Sequence, residues 1–215
     1  LNLKKNHTNL DEITLTTNGT LLKYYAKDLK KNGVDRINVS LDTINPKKYN
    51  DITRFGNLNK VIEGINEAIK NNIKVKINTV AMKNFNENEL EELIIWADKL
   101  NIDITFIEVM PMEETDISRS MQFVPLDKMY KILDKKFIFT KSKQNTGGPA
   151  IYYSGKNISN KVGFITPLTN NFCSSCNRIR ITSTGKLFMC LGQNDYVDFR
   201  EILRKDFSDD HIKEK

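Results

Sequence analysis

Cys173, Cys176 and Cys190 are the only cysteines in the chain, and all three fall in one stretch, CSSCNRIRITSTGKLFMC. Two residues separate the first pair, and thirteen separate the second cysteine from the third. Thiolates are soft ligands that suit zinc and iron–sulfur clusters. Structural zinc takes four protein ligands. The only histidines, His7 and His211, are far away in sequence, and Asp195 and Asp198 lack ligand-like spacing. A [4Fe–4S] cluster held by three cysteines keeps one iron open for a small ligand or substrate. On spacing alone, an iron–sulfur site, a zinc site and inert or redox-active thiols all stay open. Arg178 and Arg180 follow Cys176, two apart on an expected strand and so on one face. Guanidinium forks suit phosphate oxygens; a solvated strand face is the plainer alternative.

The cysteines need elements to gather them. RIRIT and KLFMC, joined by STG, read as a hairpin that brings Cys176 and Cys190 to the same end. AIYYSG and KVGFITPLT, joined by KNISN, read as a second antiparallel hairpin. Residues 111–125 read as a connector, Leu126, Met129, Tyr130 and Leu133 mark a short helix, and DFREILRKDF opens a terminal one.

The first half reads differently. Four β-rich runs, EITLTTNG, RINVSLDT, KVKINTVAM and DITFIEVMP, alternate with helical patterns. Gly33 is a helix stop, Asn45-Pro46 a helix start, and Asn86 with Glu89 resembles a capping box. Such alternation implies parallel strands with right-handed crossovers. Side chains alternate faces along a strand. One face carries Ile13, Leu15, Ile37, Val39, Leu41, Val75, Ile77, Ile107 and Val109. The other carries Thr14, Thr16, Asn18, Asn38, Ser40, Asp42, Lys76, Asn78, Glu108 and Met110. A parallel sheet with one polar face predicts an open chamber, because both faces of such sheets are normally covered. The expected fold is therefore α/β: a partial, incomplete parallel β/α barrel over 1–111. A small antiparallel β module that holds the three cysteines, the candidate for an iron–sulfur site, follows within 112–215.

Composition narrows the classes further. The chain is 39% hydrophobic and 28% charged, as in a soluble globular protein. No apolar run approaches the roughly 20 residues that span a bilayer, so no membrane partner is expected. Few, odd-numbered cysteines favour a reducing cytoplasm over a secreted disulfide scaffold. Net charge is +6 and the pI about 9.1. That favours an anionic partner, although frequent Lys and Asn throughout explain the charge equally well. The first residue is Leu1, which reads as a start inside a longer protein.

The cysteine stretch, with its gaps, resembles the C-terminal cluster segment of the GTP 3′,8-cyclase family. These are radical S-adenosylmethionine enzymes of molybdenum cofactor biosynthesis. LTTNGTLL, RINVSLDT, VKINTV and FIEVMP resemble that family's barrel strands in the right order, and GPAIYY and VGFITPLT its later hairpin. The resemblance implies a lyase that binds GTP and S-adenosylmethionine. A 5′-deoxyadenosyl radical abstracts the 3′ hydrogen of GTP, and C3′ then joins C8. It implies that Cys173, Cys176 and Cys190 ligate a [4Fe–4S] cluster whose open iron holds the guanine. Ser40 and Met110 match positions contacting S-adenosylmethionine. Thr16, Lys76, Arg178, Ile179 and Arg180 match positions near GTP. A second, N-terminal [4Fe–4S] cluster is expected outside this chain, as are the radical-generating cysteine motif and a Gly-Gly tail. Thr105 stands where relatives carry Arg. The resemblance also implies an electron donor, allows a homodimer, and hands the product to a cyclic pyranopterin monophosphate synthase.

Three other classes compete. A different radical enzyme with an auxiliary cluster would carry more C-terminal cysteines. A zinc or cluster-bearing nucleic-acid binder would show exposed aromatics among its basic residues; Tyr152 and Tyr153 are the candidates, and no nucleic acid is expected. A flavin- or phosphate-binding barrel with structural zinc would want a phosphate-cradling glycine loop, which is missing.

Overall fold

The computed structural model describes residues 9–110, 121–170, 172–190 and 195–204. They fall into two compact units, one formed by 9–110 with 121–170 and the other by 172–190 with 195–204. Most of the expected connector, 111–120, lies outside the described residues, as do His7, His211 and the end of the terminal helix.

The first unit runs β1 (Thr14–Thr17), α1 (Leu22–Lys31), β2 (Arg36–Ser40), α2 (Pro46–Thr53), α3 (Leu58–Lys70), β3 (Lys74–Ala81), α4 (Leu90–Lys99) and β4 (Asp103–Glu108). It continues through α5 (Leu126–Phe137), β5 (Thr140–Lys141), β6 (Ile151–Ser154) and β7 (Lys161–Ile165). All seven strands form one sheet in the order β1-β2-β3-β4-β7-β6-β5. The first five are parallel to their neighbours. The β6–β7 hairpin then turns the sheet antiparallel.

Local chemistry sets the helix ends. Gly33, at φ 87°, stops α1, and its N–H bonds to the Lys30 carbonyl. The Asn45 side chain accepts from Lys47 and Lys48 N–H, with Pro46 opening α2. The expected capping box at α4 is absent. Asn86 instead ties three strand-end groups: it accepts from Met82 N–H and donates to the Asp42 and Val80 carbonyls. Glu89 accepts from the Thr43 hydroxyl and pairs with Lys48. The Asn86 bonds satisfy backbone groups at the strand ends that a cap would have left without partners.

One face of the sheet packs on the helices. Ile37, Val39, Leu41, Ile77, Ala81, Ile104 and Phe106 share a core with Val61, Ile65, Leu93, Ile94, Ala97 and Leu126. Burying each such aliphatic side chain contributes about 1.5–3 kcal/mol. The register corrects one expectation. Opposite Ile77 and Thr79 stand Ile104 and Phe106, so parity inverts between β3 and β4. Glu108 therefore belongs to the helix-packed face, not with Lys76 and Asn78. Asp103, Thr105 and Ile107 take the chamber face instead.

The second unit begins with a 3-10 turn, Cys173–Ser175, followed by β8 (Arg180–Ile181), β9 (Lys186–Phe188), β10 (Tyr196–Asp198) and α6 (Phe199–Arg204). The strands form an antiparallel sheet in the order β10-β9-β8. The expected hairpin is present but shorter than RIRIT suggests, because Arg178 and Ile179 precede the strand. Gly185 takes φ 84°, and a Cβ there would sit 2.8 Å from the Arg200 Cβ. Only glycine lets α6 start against this turn, where Phe199 N–H bonds to the Gly185 carbonyl at 3.0 Å. Among the described residues no helix is long and apolar enough to cross a membrane.

Candidate functional site

The chamber face is built from rows set by strand register. Thr16, Asn38, Lys76 and Asp103 form one row across β1 to β4. Ser40, Asn78, Thr105, Gly163 and Tyr152 form the next, from β2 to β6. The sheet thus brings Thr16, Lys76 and Ser40 onto one face. Ser40 is exposed at the C-terminal end of β2, and Met110, 38% exposed, follows β4.

Lys76 has the most unusual setting. It is 6% exposed, and its ammonium donates to the Tyr152 hydroxyl at 3.1 Å, lying 5.8 Å from the ring centroid. Among the described residues no carboxylate lies within salt-bridge reach of it. Tyr152 is itself 1% exposed and shares its hydroxyl with Thr146 at 3.1 Å. Two further oxygens in the Tyr152 row, Asn78 Oδ1 and Thr105 Oγ1, are buried with no hydrogen-bond partner. Buried polar groups are ordinarily satisfied, so orphaned oxygens on a chamber face fit a ligand floor.

Beside Lys76 opens a cavity of about 1190 Å3, lined among others by Glu12, Arg36, Lys74, Asp103 and Thr146. It lies where β1, β3 and β4 begin, opposite the strand ends that carry Ser40 and Met110. Arg36 is held from three sides: it donates to Glu12 at 2.9 and 2.7 Å, to Asn38 Oδ1 at 3.1 Å and to the Thr146 carbonyl at 3.4 Å. The Arg36 hydrogen bonds hold the Glu12 carboxyl below its ordinary value, against the upward push of burial. Gln144 donates to Asp103 at 2.8 Å, fastening the 144–147 segment to the start of β4.

In the second unit Cys173 and Cys176 sit exposed on the 3-10 turn, where Cys176 N–H bonds to the Cys173 carbonyl at 3.2 Å. Cys190, half-buried, follows β9. None of the three is in a disulfide. Arg180 opposes Phe188 in the hairpin, and Arg178 and Ile179 are exposed between Cys176 and β8. Among the described residues no three His, Cys, Asp or Glu side chains converge closely enough to hold a metal ion. In type and exposure, the three thiols still suit a cluster with one open iron. Asp198, weighed above as a fourth ligand, accepts from Glu201 N–H instead.

Sequence reasoning missed Arg36, Thr146 and the role of Tyr152. Arg36 shares parity with Asn38 and Ser40, so strand alternation could have found it. Tyr152 was weighed as an exposed aromatic for nucleic acid; it is buried, and Tyr153 is half-buried in a cluster with Tyr130, Phe139 and Phe164.

Comparison with known proteins adds three findings. Residues 102–215 match the Molybdenum Cofactor Synthesis C family, and residues 1–97 match the Radical SAM superfamily. The chain is 51% identical to the GTP 3′,8-cyclases of Brucella ovis and Brucella canis over 95% of its own length, and it spans 60% of theirs. Its fold is similar to that of Streptococcus suis SuiB bound to S-adenosylmethionine. The TM-score is 0.61 at 16% identity, covering 91% of this chain and 48% of that one.

Proposed function

This chain belongs to the Molybdenum Cofactor Synthesis C family, and on that premise we propose that it is part of a GTP 3′,8-cyclase, a radical S-adenosylmethionine lyase. Lys76 carries the reading. A buried cation with no counter-ion among the described residues is costly, and here it borders a cavity large enough for a nucleotide. An anionic substrate group supplies the missing charge. Membership of the Radical SAM superfamily implies S-adenosylmethionine and a [4Fe–4S] cluster, which supply the radical chemistry when bound.

This chain's residues bind and orient. In this reading residues 1–111 are the partial Radical SAM barrel, and 112–215 add the cluster and further substrate contacts. Ser40 and Met110 contact S-adenosylmethionine at the C-terminal strand ends. Thr16 and Lys76 hold GTP on the chamber face, and Arg178, Ile179 and Arg180 contribute to the same substrate. Cys173, Cys176 and Cys190 hold a cluster with one open iron. An electron donor, a homodimer, a cytoplasmic location and transfer of the product to a cyclic pyranopterin monophosphate synthase complete the proposal.

The test uses the full-length gene product, reconstituted anaerobically with GTP, S-adenosylmethionine and a reductant. GTP deuterated at C3′ should give deuterated 5′-deoxyadenosine together with a cyclised nucleotide. Formation of 5′-deoxyadenosine without deuterium, and without loss of GTP, would refute the assignment.

A further inference from the structure

The ammonium of Lys76 has three N–H donors, and its one protein partner among the described residues is the Tyr152 hydroxyl. A lysine stem is flexible, so a bound anion must otherwise immobilise it. Three features fix Tyr152 independently of Lys76. Its hydroxyl is shared with Thr146, whose carbonyl accepts from Arg36. The segment holding Thr146 is fastened again by Gln144 on Asp103. Finally, the ring lies directly over Gly163. A Cβ at that position would sit 2.9 Å from Tyr152 Cε1 and 2.9 Å from Thr105 Oγ1, so any larger residue would displace the ring.

We propose that Tyr152 is a positioning residue for Lys76: its hydroxyl, fixed by Thr146 and seated over Gly163, holds the Lys76 ammonium ready for the phosphates of a nucleoside triphosphate. The proposal rests on the assignment of Lys76 to GTP. One N–H of the ammonium stays on Tyr152, and two are left for phosphate oxygens. The hydroxyl acts through the Lys76 ammonium, so its effect is confined to the anionic part of the substrate.

Calorimetric titration of GTP and of guanosine into the reconstituted full-length gene product tests this. Tyr152→Phe keeps the ring over Gly163 and removes the hydroxyl. GTP should bind about tenfold more weakly, equivalent to about 1.4 kcal/mol, while guanosine affinity is unchanged. In a Lys76→Met background, Tyr152→Phe should cause no further loss. A purely structural tyrosine would weaken both ligands alike and add to Lys76→Met; that result overturns the proposal, as does unchanged or tighter GTP binding. If Tyr152→Phe does not fold, Thr146→Val probes the same chain of bonds and should give the same GTP-selective loss at smaller size. Equal GTP affinity in wild type and Lys76→Met would remove the nucleotide assignment itself. That outcome is distinct from failure of Tyr152 alone.

Discussion

Replacing Glu108 should destabilise the first unit through groups far from it in sequence. The carboxylate is 1% exposed. It accepts from Leu126 N–H at 3.2 Å, Leu168 N–H at 3.0 Å, Thr169 N–H at 3.1 Å and the Thr169 hydroxyl. Leu126 opens α5, whose N-cap, Pro125, offers no side-chain hydrogen bond. Glu108 therefore does the work of a cap from another strand, and a negative charge at a helix N-terminus is favourable. In Glu108→Ala, water can reach Leu168 and Thr169, which are exposed, but not Leu126, which is fully buried. One stranded N–H costs about 1–3 kcal/mol, and the one lost methylene adds about 0.8 kcal/mol. The net loss is about 2–4 kcal/mol, or roughly 5–15 °C in melting temperature at this chain length. Glu108→Gln keeps one acceptor but turns an amide N–H2 toward donors, so it should lose roughly half as much. Thermal melts by circular dichroism, with hydrogen exchange at Leu126, provide the assay. A Glu108→Ala protein within about 0.5 kcal/mol of wild type, with Leu126 still protected, would refute the reasoning.

Other predictions concern stability and substrate binding. Burial pushes the Asp98 carboxyl up, but hydrogen bonds from the Ser159 hydroxyl and from Ser159 and Asn160 N–H outweigh it, and the folded value falls below the ordinary 3.8. Its stabilisation is thus present above that pH and lost as pH falls through the lower folded value; the stability gap between wild type and Asp98→Asn should close in acid and hold steady near neutrality in denaturant titrations. In Gly64→Ala, the new Cβ would sit 2.7 Å from the Gly19 carbonyl oxygen and 2.9 Å from Leu22 Cβ. Overpacking of about 1–3 kcal/mol should exceed the helix-propensity gain of about 1 kcal/mol, and urea melts would read a net loss. Arg178→Ala and Arg180→Ala should each weaken GTP binding by on the order of ten- to a hundredfold, as loss of a charge-assisted contact does, with little change in melting temperature; calorimetry alongside melts checks both.

The strand–helix alternation and the Asn45-Pro46 and Gly33 boundaries were legible because each depends on local chemistry. The hairpin after Cys176 was legible for the same reason. The face of β4 was not. Residues of both parities are buried along that strand, Ile104 and Phe106 on one and Thr105 on the other, and both parities carry apolar residues: Ile104 and Phe106 on one, Ile107 and Val109 on the other. Alternation cannot choose between them, and only the register against β3 does. Asn86 misled for a related reason. Its side chain suits a helix cap, but strand ends distant in sequence compete for the same groups. Thr16, Ser40 and Lys76 were placed on one face from parity alone. The pairing of Lys76 with Tyr152 joins residues 76 positions apart, and no periodicity encodes it.

The central claim is that Cys173, Cys176 and Cys190 hold a cluster whose open iron serves the substrate. Mössbauer spectroscopy of iron-57-enriched, anaerobically reconstituted full-length protein, with and without GTP, tests it most directly. The expected result is a [4Fe–4S] signal that falls by one cluster, leaving that of the N-terminal cluster, when Cys173, Cys176 and Cys190 are all replaced by Ala, and one iron site of the lost component that shifts when GTP binds. Stoichiometric zinc, or an iron signal indifferent to both the triple replacement and GTP, would contradict it.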